Sequence, residues 1–184
     1  MIINNKIESY NKIIELNLNK FPEKLFESHN VDEIEKFLDK YPANYYAIRD
    51  KTKPNGIFKL KVKRNEVLKE TKEYKLFTIN ISSINYAKNQ LLVGEILISS
   101  NNQVYLTLST DKYASVRDAI NNPIFNMKSN IYDKKLNKIP NFNYIYDYII
   151  KHNLQDIIVE FALFNINLGI NNDKIIIYEL RTEY

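Results

Sequence analysis

Two runs near the end of the chain decide its fold: Ile157-Ile158-Val159-Glu160-Phe161-Ala162-Leu163-Phe164 and Lys174-Ile175-Ile176-Ile177-Tyr178-Glu179-Leu180-Arg181. Both are rich in β-branched and aromatic residues and predict strands. The loop between them holds Gly169 and Asn171-Asn172, residues that suit a change of direction. Residues 91–99 (Leu-Leu-Val-Gly-Glu-Ile-Leu-Ile-Ser) form the most apolar stretch of all, and Asn101-Asn102 turns the chain into a partner run at 104–108. That pattern predicts a hairpin.

Working outward, residues 76–81 predict another strand. Residues 57–63 alternate, with Phe58, Leu60 and Val62 on one expected face and Lys59, Lys61 and Lys63 on the other. Such period-two alternation marks a half-buried strand. Pro54-Asn55-Gly56 is the turn before it, and residues 44–50, with Tyr45-Tyr46-Ala47-Ile48-Arg49, are the strand before that. A short helix is expected over 65–74 with Asn65 as its cap, a helical turn over 115–120, and a helix from Pro140 to about His152 on the stripe Phe142, Ile145, Ile149. Residues 124–138 predict a strand plus a loop.

The first forty residues read as helical. Ile7, Ile13, Ile14 and Leu18 recur at helical spacing, and Pro22 opens a second short helical stretch in which Leu25 and Phe26 pack. Asn30 or Asp32 caps a third helix with the stripe Val31, Ile34, Phe37, Leu38, which Pro42 stops. The expected organisation is a helical segment over residues 1–43 followed by an α+β domain over 44–184. Helices first, then strands joined largely by hairpins, give an α+β class with a mainly antiparallel sheet and a few packed helices. A doubly wound parallel sheet needs more alternating helices.

Composition narrows the chemistry. At 184 residues the chain is long enough to bury a real core, and a hydrophobic fraction of 45% argues against a disordered one. No apolar run approaches the ~20 residues of a membrane span. The opening Met1-Ile2-Ile3-Asn4-Asn5-Lys6 lacks the pattern of a secretory signal, so a cytoplasmic globular protein is expected. The absence of Cys removes disulfides, thiol chemistry and Cys-ligated zinc. With only three Gly, all isolated, no Gly-rich phosphate loop can form. His29 and His152 stand in separate segments without ligand spacing and read as cap or loop residues.

Charge is informative through placement. The net charge of +4 is mild and mostly Lys, with acids interleaved. Arg occurs only at positions 49, 64, 117 and 181. Three carboxylates, Glu95, Glu160 and Glu179, interrupt strongly apolar strand sequence. A carboxylate there must face solvent, pair with a cation or bind a metal, because burying it alone is costly. Glu179 and Arg181 are two apart and share a sheet face. For each residue taken singly a solvated face or an internal Glu–Arg pair is the simpler account. As a set, two Glu on the closing strands with Arg181 and the strand-end Arg49 meet the minimum for nucleotide phosphoryl chemistry: carboxylates for Mg²⁺, cations for phosphate.

The same residues carry a family resemblance. Arg49 in Tyr-Ala-Ile-Arg-Asp-Lys resembles a phosphate-contacting strand of the ATP-grasp domain of pyruvate phosphate dikinase and phosphoenolpyruvate synthase. Residues 91–99 resemble the strand that runs beside the nucleotide. Ile158-Val159-Glu160-Phe161 and Ile177-Tyr178-Glu179-Leu180-Arg181-Thr182 resemble the closing acidic pair. The resemblance, over roughly residues 45–182, implies an ATP-grasp-like fold binding ATP and Mg²⁺. It makes Glu160 and Glu179 the Mg²⁺ ligands, puts Arg49 and Arg181 on phosphates, and has one of Lys51, Lys59 and Lys61 reach the α/β-phosphates. The ending Glu179-Leu180-Arg181 is a hybrid of the dikinase Gln-x-Arg and the ligase Glu-x-Asn. The Gly-rich flap is reduced to Pro54-Asn55-Gly56, and the chain is short for a complete enzyme of this kind. A reduced relative is the expectation these departures give.

A different class of function stands beside this one. The basic row Lys59, Lys61, Lys63, with fourteen Tyr available for stacking, fits a non-enzymatic module that binds nucleic acid or a protein, such as a mobile-element accessory protein. An exposed strand using Lys to block edge pairing is the simpler account of that row.

Overall fold

The computed structural model describes residues 2–52 and 58–182. The expected Pro54-Asn55-Gly56 turn lies outside the described residues. In chain order the elements are α1 (Lys6–Glu15), β1 (Glu23–Phe26), α2 (Val31–Lys40), β2 (Tyr46–Asp50), β3 (Phe58–Val62), α3 (Val67–Thr71) and β4 (Phe77–Ile81). They continue with β5 (Gln90–Ile98), β6 (Gln103–Ser109), α4 (Val116–Asn121), β7 (Phe125–Asn130), α5 (Phe142–Lys151), β8 (Ile158–Leu168) and β9 (Asp173–Arg181). The chain divides into two compact units: Phe21–Ala87, and a discontinuous unit of Met1–Lys20 with Lys88–Tyr184. Among the described residues no helix is long and apolar enough to cross a membrane.

The 21–87 unit is a four-stranded antiparallel sheet, order β1-β4-β2-β3. Its core gathers Phe26, Ile34, Leu38, Tyr46, Ile48 and Phe77. Asn30 caps α2, its side chain accepting from the Glu33 amide at 3.1 Å. The helix then buries Ile34, Phe37 and Leu38. Val31, expected in the same stripe, is 46% exposed: it is the first residue of the helix, at its end.

Two expectations fail in this unit. The stretch opened by Pro22 is not helical: β1 pairs antiparallel with β4. Four residues cannot repay the nucleation of a helix, whereas as a strand they seat Phe26 against Phe77, ring centroids 5.3 Å apart. The alternation of β3 also breaks. Ile48 lies opposite Lys59 and Tyr46 opposite Val62, so one extra residue of β3 bulges between them. Lys59 therefore shares the core-side face with Ile48, while Phe58 sits opposite Arg49 on the other face and is 44% exposed. The basic row expected from Lys59, Lys61 and Lys63 is not one face.

The discontinuous unit is a five-stranded antiparallel sheet, order β7-β6-β5-β8-β9. Leu92, Ile96, Leu106, Val159, Phe161 and Ile177 share a core with Phe142, Ile145 and Ile149 of α5 and Ile13 of α1. Asn19 fastens the β8–β9 end of this sheet. Its side-chain amide donates to the carbonyls of Ile175 (2.7 Å), Leu168 (2.9 Å) and Asp173 (3.2 Å), and its oxygen accepts from the Asn171 amide at 2.9 Å.

Candidate functional site

Strand register assembles the charged residues of the discontinuous unit into a row. Glu95 of β5 lies opposite Glu160 of β8, and Glu160 opposite Glu179 of β9. On the other side of Glu95 the row continues through Thr107 of β6 to Asn126 of β7. Cross-strand partners share a face, so the row crosses all five strands on the face opposite the α5 core.

A β-bulge gives Glu179 its direction. Ile175 and Ile177 both point into the core, and strict alternation would send Glu179 after them. Instead Glu160 pairs with Glu179 while Phe161 pairs with Ile177, which leaves Tyr178 as the extra residue. Beyond that shift Leu180 enters the core, and Glu179 and Arg181 turn to the opposite face. Gly94 fixes the neighbour in β5: a Cβ there would stand 2.1 Å from the Thr107 carbonyl oxygen, so only glycine permits this β5–β6 approach beside Glu95.

Two cations enter the row. The Arg181 guanidinium donates to Glu95 and lies 3.5 Å from Glu160 Oε1. Lys6 pairs with Glu179. Lys6 comes from the first turn of α1, which is docked on β9 by Ser9 Oγ accepting from the Leu180 amide at 2.8 Å. The preceding segment is tied to the same strand end, the Ile3 amide donating to Thr182 Oγ1 at 2.9 Å. Glu95 is 5% exposed, and the Glu160 and Glu179 side chains 17% and 14%, so these charges sit largely out of water. Burial first, and then the adjacent Glu179 charge, push the Glu160 carboxyl above the usual carboxylate range; Lys6 and Arg181 pull against that rise. Among the described residues the three carboxylates of the row meet the two cations Arg181 and Lys6.

The other sequence-predicted residues belong to the 21–87 unit. The Arg49 guanidinium lies over the Phe58 ring, 4.2 Å from its centroid. Lys59 pairs with Glu70, and that hydrogen bond raises its pKa. Lys61 sits 5.8 Å from the centre of the Tyr45 ring. Lys51 follows β2 and its amide donates to the Leu76 carbonyl at 2.8 Å. An open groove of about 520 Å³ in this unit is lined by Lys63, Arg64 and Asn65 with Glu35 and residues 43–45. Its Arg64 is engaged by Glu35 and Asp39, both at 2.7 Å. The two histidines are local, as expected: His29 Nε2 is 3.1 Å from the Leu68 carbonyl, and His152 packs on Tyr148 with centroids 4.4 Å apart.

The strand register brings together Glu160, Glu179 and Arg181, all named from the sequence, with Glu95, to which the sequence reading gives no role. Lys6 was missed, since nothing local marks a residue that meets its partner across 173 positions. Among the described residues no group of three or more His, Asp or Glu side chains is placed to hold a metal ion. Glu160 and Glu179 are cross-strand neighbours on this face, Glu179 already paired with Lys6.

No protein-family model matches the sequence, and no curated protein does. Solved structures match nearly the whole chain. An N5-carboxyaminoimidazole ribonucleotide synthetase (purK) in complex with ADP has a TM-score of 0.53 at 10% identity, over 98% of this chain and 45% of that one. The carboxyaminoimidazole ribonucleotide synthase of Aspergillus clavatus complexed with ATP gives 0.52 at 12%, over 100% and 45%. The Staphylococcus aureus N5-carboxyaminoimidazole synthetase with ADP gives 0.52 at 12%, over 98% and 44%. The chain spans about half the length of the structures it matches. Its fold is α+β, two antiparallel sheets with packed helices, and it resembles the ATP-grasp fold.

Proposed function

We propose that the discontinuous unit binds an adenine nucleotide with Mg²⁺ at the carboxylate row, Glu160 and Glu179 holding the ion and Arg181 facing phosphate. The observation that carries this reading is the register pairing of Glu160 with Glu179, on one face and with Arg181 two residues on. Burial and then the Glu179 charge raise the cost of ionising the Glu160 carboxyl, and a divalent ion beside it would relieve that cost. When bound, the ion would neutralise phosphate oxygens and make the phosphoryl group easier to attack. The likeness of the fold to structures solved with ATP or ADP supports the choice of ligand. Within this reading Arg181 favours the dikinase type of ATP-grasp domain, where the closing strand ends in Arg, over the ligase type, where it ends in Asn.

Thermal unfolding with and without MgATP tests the proposal. At a ligand concentration ~100 times Kd the folded state gains ~2.7 kcal/mol, which for a chain of this size raises Tm by ~5–10 °C. Glu179→Ala should abolish the shift while leaving the chain folded. No shift in the wild-type chain counts against nucleotide binding. The nucleic-acid reading loses its geometric basis, because β3 does not present Lys59, Lys61 and Lys63 together.

A further inference from the structure

We propose that the outer edge of β7 is a self-association surface: two copies of this chain pair β7 against β7, antiparallel about a two-fold axis at Met127, and join their five-stranded sheets into one. Nucleotide binding is not required for it. The two edges of that sheet are treated differently. The β9 edge is capped by the chain that precedes β1. The Thr182 amide donates to the Ile3 carbonyl at 3.3 Å, the Leu180 amide to Ser9 Oγ at 2.8 Å, and the Ile177 amide to the Asn19 carbonyl at 2.8 Å. The Asn19 side chain supplies the donor for the Ile175 carbonyl. Among the described residues β7 ends the other side of the sheet with no strand beyond it. Edge strands are ordinarily covered, bulged or guarded by charge. From Asn130 to Phe125 the register of β7 on β6 is unbroken. The strand has no proline and a single charge, Lys128, whose ammonium is drawn back over its own sheet, 4.9 Å from the centre of the Tyr105 ring.

Register identifies the groups on offer. The Ile131 amide donates to the Asn102 carbonyl at 2.8 Å, and from that pair the antiparallel ladder alternates. Ser129, Met127 and Phe125 therefore bond to β6, while Asn126, Lys128 and Asn130 turn their backbone groups outward. The Asn130 carbonyl is taken by the Asp133 amide at 2.9 Å, which leaves Asn126 and Lys128 as the core of the edge. A second copy can satisfy both in one register. An axis at Lys128 would set two lysines directly opposite each other, a destabilising pair. An axis at Asn126 would need Ile124, whose amide already serves the Leu108 carbonyl at 2.9 Å. An axis at Met127 places each Asn126 against Lys128 of the second copy and engages every outward amide and carbonyl of the two. It also sets Met127 against Met127 and Phe125 against Ser129. Phe125 and Met127 are half-buried where they pack on the α5 core, so the contact extends that core from one copy to the next. Because the pairing uses up both β7 edges while the β9 edges are capped, the product is a closed dimer and not a filament.

Sedimentation of the full chain across a concentration series into the millimolar range tests the proposal. The weight-average mass should rise from that of one chain toward that of two and stop there. In Asn126→Pro the lost amide is one that faces away from β6, so the sheet keeps its own ladder. That variant should keep the wild-type circular dichroism and stay monomeric. Disulfide trapping reads the register. The chain has no Cys, so a single introduced thiol can only bond to its own copy. Opposed residues of a non-hydrogen-bonded pair stand ~4.5 Å apart at Cα, within disulfide reach, so Met127→Cys should cross-link under oxidised glutathione. Lys128→Cys would meet its copy only diagonally, at ~7–8 Å, and should remain largely free. A wild-type chain that stays monomeric throughout would overturn the proposal, as would a dimer that survives Asn126→Pro. Where that variant does not fold, the two Cys variants decide: cross-linking no faster in Met127→Cys than in Lys128→Cys would refute the β7 pairing.

Discussion

Replacing Asn19 tests how the site-bearing strands are held. Asn19 is 1% exposed and satisfies four backbone groups at the β8–β9 end. Its own carbonyl also accepts from the Ile177 amide at 2.8 Å, a bond that survives substitution. Asn19→Ala strands the buried Ile175 carbonyl, at ~1–3 kcal/mol. The partly buried Asn171 amide and the Leu168 and Asp173 carbonyls can recover part of their loss from water. The sum is about 3 kcal/mol, or ~6–12 °C in Tm for a chain of this size. Asn19→Asp is the sharper variant. It keeps the acceptor for Asn171 but turns a carboxylate oxygen toward three carbonyls, so it should melt at or below Asn19→Ala. The assay is thermal unfolding by circular dichroism at fixed pH, with hydrogen exchange at the Asn171 and Ile175 amides reporting local opening. If Asn19→Asp melts within a degree of wild type, the side chain is only filling space and the reasoning is wrong.

Further outcomes follow from the same geometry. Burial and Glu179 hold the Glu160 carboxyl above its unfolded value of ~4.3, so the stability its proton contributes is present below that value and lost as pH rises through the folded one. Glu160→Gln, fixed in the neutral form, should therefore melt above metal-free wild type near neutral pH and converge with it in acid; a constant difference across a pH series would refute this. Gly94→Ala drives a Cβ into the Thr107 carbonyl oxygen at 2.1 Å and should cost about 3 kcal/mol or more in denaturant unfolding. Tyr144 and Tyr148 are pushed up to about 12, chiefly by burial, so folding stability should fall as pH climbs through that value. In an alkaline absorbance titration Tyr148→Phe should reduce the late-ionising signal without abolishing it, Tyr144 supplying the rest, and leave the early one intact.

Much of this arrangement is legible in the amino-acid order, and the gaps have physical reasons. The runs at 157–164 and 174–181 are strands because their branched and aromatic residues leave no other way to bury them, and the α2 stripe is helical for the same reason. β1 was hidden because four residues with one core side chain carry no period; it is a strand only because β4 offers it a partner. The bulge in β3 is invisible to alternation, and it removes the basic row that alternation creates. The bulge at Tyr178 did leave a trace: Ile175 and Ile177 set one phase and Leu180 the other, and that slip tells which way Glu179 faces. Lys6 left none, since its place depends on docking of α1 against the last strand.

Titration calorimetry of ATP into the chain, with Mg²⁺ and then with chelator, tests the central claim most directly. The account predicts saturable, Mg²⁺-dependent heat in wild type that disappears in a folded E160Q/E179Q variant. Heat that persists unchanged in that variant, or no heat in wild type at millimolar ATP, would contradict it.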